Sequence, residues 1–423
     1  MFRFPLFEEL KICMPGSPLV FGNLVARPLG VGVLTTSFLI SVAVGHEGDP
    51  KRNPEPSIPG EIILAGTSGV GSAWDDVGAG GVFQSQIPVN VLGGTGNGSD
   101  LWHHVSDSGR EYGIVTTRES VAWVEVTTPE EPVVVHVHAR GETSSLWGDV
   151  KTIGHHAYVD GEGGGTLVFD MSSIDSGVVE YLGDVGVGSA HNLVACPEAG
   201  ILARCGSDFR LYSVADDPAV PVQIGSRPDR YVHDAVLVIY PETAPDAEHH
   251  GHLIGFLSDG FNNGGTDTGI SIVDFGVPGE IDPGGTLLSR ITWPNAGYSH
   301  QSSPNDDFTW LYSNDETSNN STWQCVDISD LDAPVLGETQ SNGKSSNNHN
   351  CFFRGGRLFA ANYKTGLRVL EADGNLLEEV ASFDTYPESD TAGYQGCWGV
   401  DPFLPSGTIL LSDMQRGLFV VRL

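Results

Sequence analysis

The chain is poor in positive charge: 21 Lys+Arg stand against 54 Asp+Glu, a formal net charge of −33. Phosphate binding needs a basic face, so nucleic acid is excluded as an expected partner. A surface of this kind keeps a soluble protein dispersed by self-repulsion and favours cations. Cysteine is scarce as well, six in 423 residues and none in Cys-x-x-Cys spacing, which excludes a zinc ribbon. Cys196 and Cys205 flank the turn Pro197-Glu198-Ala199-Gly200, and a disulfide across that hairpin is expected if the chain is exported. The nucleophile elbow, the phosphate loop and the HExxH helix are all absent, so no hydrolase or kinase class is announced by a local motif. No long segment has helical apolar spacing. Only one apolar run stands out, Leu29–Val44 (LGVGVLTTSFLISVAV), and about 16 residues is short for a membrane span. Arg27 before it and Ala43-Val44-Gly45 after it complete the outline of a signal peptide. An uncleaved N-terminal anchor and a true start at Met14 are the competing accounts. No second apolar stretch follows, so no C-terminal anchor is expected.

What the chain does have is turns and a repeat. It carries 55 Gly and 25 Pro, and four phrases place a histidine before an amide or carboxylate. They are Ala190-His191-Asn192, Val232-His233-Asp234, Ser299-His300-Gln301 and Asn348-His349-Asn350, spaced by 42, 67 and 49 residues. Each opens a unit of hydrophobic strand, turn, second strand and a segment of the type Leu-x-Val-x-Asp. Four strands per unit at such a period predict an all-β chain folded as a single β-propeller, with the start of every inner strand at one central channel. The count favours seven blades, with six as the alternative. Trp102, Trp147 and Trp398 stand near the corresponding place in blades one, two and seven. The expected organisation is a signal peptide or N-terminal membrane anchor over 1–45, a flexible linker over 46–81 and the propeller over 82–423. The last unit lacks its outer strand while Val82–Leu92 has no blade of its own, so the N-terminal strand is expected to close the ring and cover both edges.

The third strands echo one another: Leu167-Val168-Phe169-Asp170, Ile270-Ser271-Ile272-Val273-Asp274, Gln324-Cys325-Val326-Asp327 and Leu367-Arg368-Val369-Leu370-Glu371. Their terminal aspartates read as turn formers rather than ligands. With Ser99-Asp100-Leu101-Trp102, Asp327-Ile328-Ser329-Asp330-Leu331-Asp332-Ala333-Pro334, Ala361-Asn362-Tyr363 and Phe383-Asp384-Thr385-Tyr386-Pro387, these phrases resemble the LVIVD repeat. From about Gly93 onward the chain is similar to the choice-of-anchor B family of exported repeat proteins. That resemblance implies an exported propeller that is secreted, periplasmic or at the cell surface, and it implies no agreed reaction. The missing C-terminal anchor departs from the family pattern and puts surface attachment in question.

The starts of the first strands and the ends of the second strands share one face of the disc. There the four histidines meet Asp160-Gly161-Glu162, Ser207-Asp208, Ser258-Asp259, Asn314-Asp315-Glu316, Asn362-Tyr363-Lys364 and Ser412-Asp413. Imidazoles with oxygen donors suit zinc, manganese, iron or copper, and carboxylates with amides suit calcium. The candidate metal ligands are His191, His233, His300 and His349, and the candidate ligand-binding residues are Asn192, Gln301, Asn350, Asp259 and Asp413. Asp234 or Asp315 is the candidate catalytic base. The same side chains also suit a structural role, in which each hydrogen-bonds the neighbouring blade's backbone. Elsewhere, His103-His104 and His155-His156 read as ordinary polar pairs. His249-His250-Gly251-His252, in the insertion Pro241–His252, is a secondary metal candidate on the opposite face. The loop Asp259–Asp267 is oxygen-rich without EF-hand spacing. Two functions follow: a non-enzymatic binding platform for an extracellular protein, glycan or small molecule, expected to be monomeric, or a metal-dependent lyase or hydrolase acting on a sugar or acidic small molecule.

Overall fold

The third strand of each repeat is apolar at successive positions because it is covered on both faces by neighbouring sheets. The computed structural model shows this directly; it describes residues 55–65, 80–141, 145–161, 164–185, 190–261, 267–317 and 321–423. Among the described residues the strands form seven antiparallel sheets arranged as blades of a β-propeller. Innermost strands run over Gly98–Val105, Gly148–Ile153, Leu193–Cys196, Asp234–Ile239, Ser299–Pro304, Cys351–Arg354 and Cys397–Asp401. We label these blades 1 to 7, with strands a to d from the channel outward. Blade 4 is representative, with strands Asp234–Ile239, Leu253–Ser258, Ile270–Asp274 and Thr286–Ile291. Its strand b is buried throughout, while strand d is exposed over its first residues.

The core therefore lies between blades rather than inside one sheet. Phe209 and Leu211 of blade 3 pack with Leu237, Leu253 and Val273 of blade 4. Tyr112 and Trp123 of blade 1 pack with Val150, Val159 and Phe169 of blade 2. Aspartates ending the third strands make the expected turns: Asp170, Asp274 and Asp327 each accept the backbone N–H two residues on, at 2.7, 2.7 and 3.0 Å.

Ring closure is as the sequence implies. Val82–Ile87 pairs with Gly417–Arg422, so blade 7 combines strands from both ends of the described chain. The closing strand is shorter than Val82–Leu92, because Pro88–Leu92 turns away, with Val91 N–H and Leu92 N–H both on the Pro88 carbonyl. Part of the stretch read as linker is ordered on the disc. Ile63–Leu64 adds a fifth strand to blade 7, and Asn90 ties down Gly60 through both its N–H and its carbonyl. The segment 1–45 lies outside the described residues.

Two local readings need correction. Cys196 pairs with Ile201 in the hairpin ladder, whereas the Cys205 N–H bonds to the Asn192 carbonyl at its far end. The two thiols thus sit at opposite ends of the hairpin, and both are free and buried. Trp102 is not the blade 1 counterpart of the histidines. A register shift between Gly98 and Leu101 brings Ser99-Asp100 to that level and leaves Trp102 farther along the channel.

Candidate functional site in the central channel

The histidines stand within two residues of the first ladder residue of their blades, so the fold carries them to the channel one after another. Ring centroids are 4.5 Å apart for His191–His233, 4.1 Å for His233–His300 and 4.1 Å for His300–His349, and Trp398 of blade 7 continues the arc at 4.2 Å. All four imidazoles are buried. The arc also locks blade to blade. His233 Nδ1 is 3.0 Å from the His300 carbonyl, and His349 Nδ1 is 2.6 Å from the Trp398 carbonyl. A carbonyl only accepts, so both Nδ1 atoms donate a proton in these bonds.

The next residue in each phrase forms a second layer, and it too reaches across blades. Asn192 donates to the His233 carbonyl at 2.9 Å, Gln301 donates to Asp234 at 2.8 Å, and Asn350 donates to Asp100 at 3.1 Å. Asp149 accepts the Leu193 N–H at 2.6 Å. Lys151 lies in this layer with its ammonium 2.5 Å from Asp149. Three carboxylates thus face one cation. Burial, followed by the Asp149 charge, pushes Asp100 up to about 7. Burial is also the main cause that raises Asp234 well above its ordinary carboxylate value, partly opposed by the Lys151 charge. For Lys151 burial pulls downward, but Asp149, Asp100 and Asp234 outweigh it and keep the ammonium charged.

Beyond this layer the channel widens into a cavity of about 600 Å³ that opens on the face of the a–b turns. Its walls include Trp102, Phe352 and Phe403, which meet edge to face or tilted at 5.5–5.9 Å, and its floor includes Asp234, Gln301 and Lys151. Lys151 also lies 4.9 Å over the Trp102 ring. His103, read as an ordinary polar residue, lines the same cavity and is 2.6 Å from the buried Asp401. Burial would lower its pKa, but Asp401 raises it. Phe308 of the wall has φ 57°, and Tyr363 at the histidine end has φ 40°. Non-glycine residues held in the left-handed region store strain that concentrates at functional sites.

The four candidate metal ligands are not brought to one point. His300 and His349 share a group with Glu316, the three ligand atoms lying within 4.8 Å of one another, and all three residues are buried. Glu316 accepts the Tyr363 hydroxyl at 2.6 Å. His191 and His233 continue the arc outside that group. Asp315, a candidate base, instead accepts the N–H groups of Gly297, Tyr298 and Thr317, at 2.6, 3.0 and 3.0 Å. Asp413 likewise accepts from Gln415 and Arg416 N–H. Asp259 sits between Arg230 and Arg290 at 3.0 and 2.9 Å, and the same arginines hold Asp267 at 2.7 Å each. Two guanidiniums thereby neutralise the two carboxylates of the oxygen-rich loop, whose residues 262–266 lie outside the described residues.

No family model matches the chain, and no curated protein matches it. A search of solved structures finds the fold in 1097 chains. One is the structure of U3-55K, at 10% identity and TM-score 0.54, covering 77% of this chain and 95% of that one. At that identity the likeness shows the β-propeller alone, a scaffold for many unrelated activities.

Proposed function

We propose that this chain is an exported LVIVD-type propeller that serves as a binding platform, with the central channel as its site. The observation that carries the reading is the cavity of about 600 Å³, which joins an aromatic wall to a buried Asp234–Gln301–Lys151 floor. Small-molecule sites have this size and make-up, mostly apolar with a few convergent polar groups. Three carboxylates around one ammonium favour a ligand head that donates hydrogen bonds or carries positive charge, an amine or a hydroxyl-rich group, while Trp102, Phe352 and Phe403 favour an apolar body. Export is supported by Arg27 and the apolar segment Leu29–Val44.

The test is a thermal-shift and calorimetric screen with apolar amines and sugar derivatives. A Val236→Trp variant fills the cavity and should fold yet lose the hits. Hits that survive Val236→Trp unchanged would place binding elsewhere.

A second reading, a metal-dependent enzyme, is favoured by one observation: the buried His300–Glu316–His349 group. Two imidazoles and a carboxylate are a donor set for a divalent transition ion with open positions. Turnover of a sugar or acidic small molecule that requires added metal and is lost in His300→Ala would support it. Metal-independent ligand binding with no turnover would favour the platform.

A further inference from the structure

The insertion between strands a and b of blade 4 folds back at a short turn, Ala247–His249, whose cap Asp246 accepts the Glu248 N–H. Asp246 also accepts the Leu331 N–H of blade 5 at 2.9 Å, so the insertion is anchored across two blades. Within it, His249 and His252 aim Nδ1 of both rings at one oxygen, Asp274 Oδ2, at 3.1 and 2.8 Å. Asp274 ends strand c of the same blade, and its other oxygen accepts the Gly276 N–H at 2.7 Å, which fixes the carboxylate. Nε2 of His249 lies 3.1 Å from Asp332 Oδ2 in the c–d turn of blade 5. His250 turns the other way, its Nε2 on the Ala244 carbonyl at 2.9 Å.

We propose that His249, His252 and Asp274 bind one divalent transition-metal ion of the zinc class, with Asp332 as the positioning residue behind His249. Zinc bonds of about 2.0–2.2 Å give a tetrahedron with edges of roughly 3.4 Å. The observed nitrogen-to-oxygen separations of 2.8 and 3.1 Å are a few tenths of an ångström short of that edge. All three ligand atoms lie within 4.8 Å of one another. An ordinary ion pair needs one imidazole per carboxylate oxygen; here two converge on a single atom. Ligating histidines commonly give their second N–H to a carboxylate, which fixes tautomer and ring orientation, and Asp332 stands in that position. Two imidazoles with one carboxylate select zinc, cobalt or manganese over calcium or magnesium. The site also bears on the channel. Tyr240, at the foot of the insertion, packs on Phe308 of the cavity wall at 5.4 Å, so a bound ion would brace the mouth.

The experiment uses the full-length protein, stripped with chelator and titrated with Zn²⁺ by calorimetry and with Co²⁺ by its visible absorption. A tetrahedral cobalt spectrum with one ion at this site is expected. Binding should be abolished in His252→Ala and Asp274→Asn, and weakened about tenfold in Asp332→Asn. It should be unchanged in His250→Ala and in a His300→Ala/His349→Ala double variant, which removes the channel group. Circular dichroism of each metal-free variant establishes that it is folded, and a zinc-dependent rise in melting temperature should follow the same pattern. No binding to the native protein overturns the proposal. So does binding that persists in His252→Ala and Asp274→Asn while it disappears in the double variant.

Discussion

Ring closure by the N-terminal strand can be tested without knowing the ligand. Val82–Ile87 contributes five register pairs against Gly417–Arg422. At about 0.5–1.5 kcal/mol net for each backbone hydrogen bond, the ladder is worth several kcal/mol. The same segment and its following turn bury Phe83, Ile87, Val89 and Leu92, at about 1.5–3 kcal/mol for each fully covered side chain. Phe83 also lies 6.3 Å from the Phe383 ring and 6.4 Å from the Phe419 ring, so it joins blades 6 and 7. Set against a total stability of about 5–15 kcal/mol, the loss of this strand should unfold or aggregate the protein. Chains starting at Glu55, Gly80 and Ser99 are to be compared by thermal melting and size-exclusion chromatography. The Gly80 start removes the Ile63–Leu64 pairing, the two Gly60–Asn90 hydrogen bonds and the Ile58 N–H bond to the Gln415 carbonyl, and should melt below the Glu55 start while staying folded. The Ser99 start should be insoluble or unfolded. In the full chain, Phe83→Ala should cost about 3–5 kcal/mol. A soluble Ser99 chain that melts with the Glu55 chain would refute the closure argument.

Asp160, buried with its carboxylate on Thr166 and the Gly161 and Ala190 N–H groups, is pushed by burial from 3.8 up to about 7. The neutral form is then favoured on folding, so its contribution to stability is full below about pH 4 and lost as pH rises through about 7. Denaturant melts from pH 4 to 8 should show the native protein losing a few kcal/mol relative to Asp160→Asn; parallel profiles would contradict this. Asp315→Ala, which strips the acceptor from three N–H groups, should cost about 1–3 kcal/mol in chemical denaturation and leave channel-ligand affinity unchanged. Affinity lost at unchanged stability would instead return Asp315 to the site. Because Cys196 and Cys205 are free, excess reductant should not shift the melting temperature.

The parts of the fold that repeat were readable in the chain. Histidine-amide phrases and Leu-x-Val-x-Asp strands recur because each blade solves the same packing problem, and their spacing located the channel rim. Features that depend on pairing across the ring were not readable. The Glu316 ligand atom joins those of His300 and His349 only once blades 5 and 6 are adjacent. His103 finds Asp401 298 positions away, from blade 1 to blade 7. Trp102 was misplaced because a single register shift moves a side chain along the channel, and sequence spacing does not reveal a bulge. Gly60 and Ile63 looked like linker because their pairing partners, Asn90 and Gln86, lie beyond a stretch of mixed composition. The residue after each histidine was a candidate in the sequence, Asn192, Gln301 and Asn350 for ligand binding and Asp234 as a base; their cross-blade hydrogen bonds, which lock neighbouring blades, were not readable there.

The measurement that bears most directly on the channel as the binding site is a crystal structure of the protein with the tightest ligand from the amine and sugar screen. The account predicts density inside the cavity, its apolar part between Trp102 and Phe352 and its polar head on Asp234, Gln301 or Lys151. A ligand bound on the outer strands or in a groove between blades, with the cavity filled only by solvent, would contradict it.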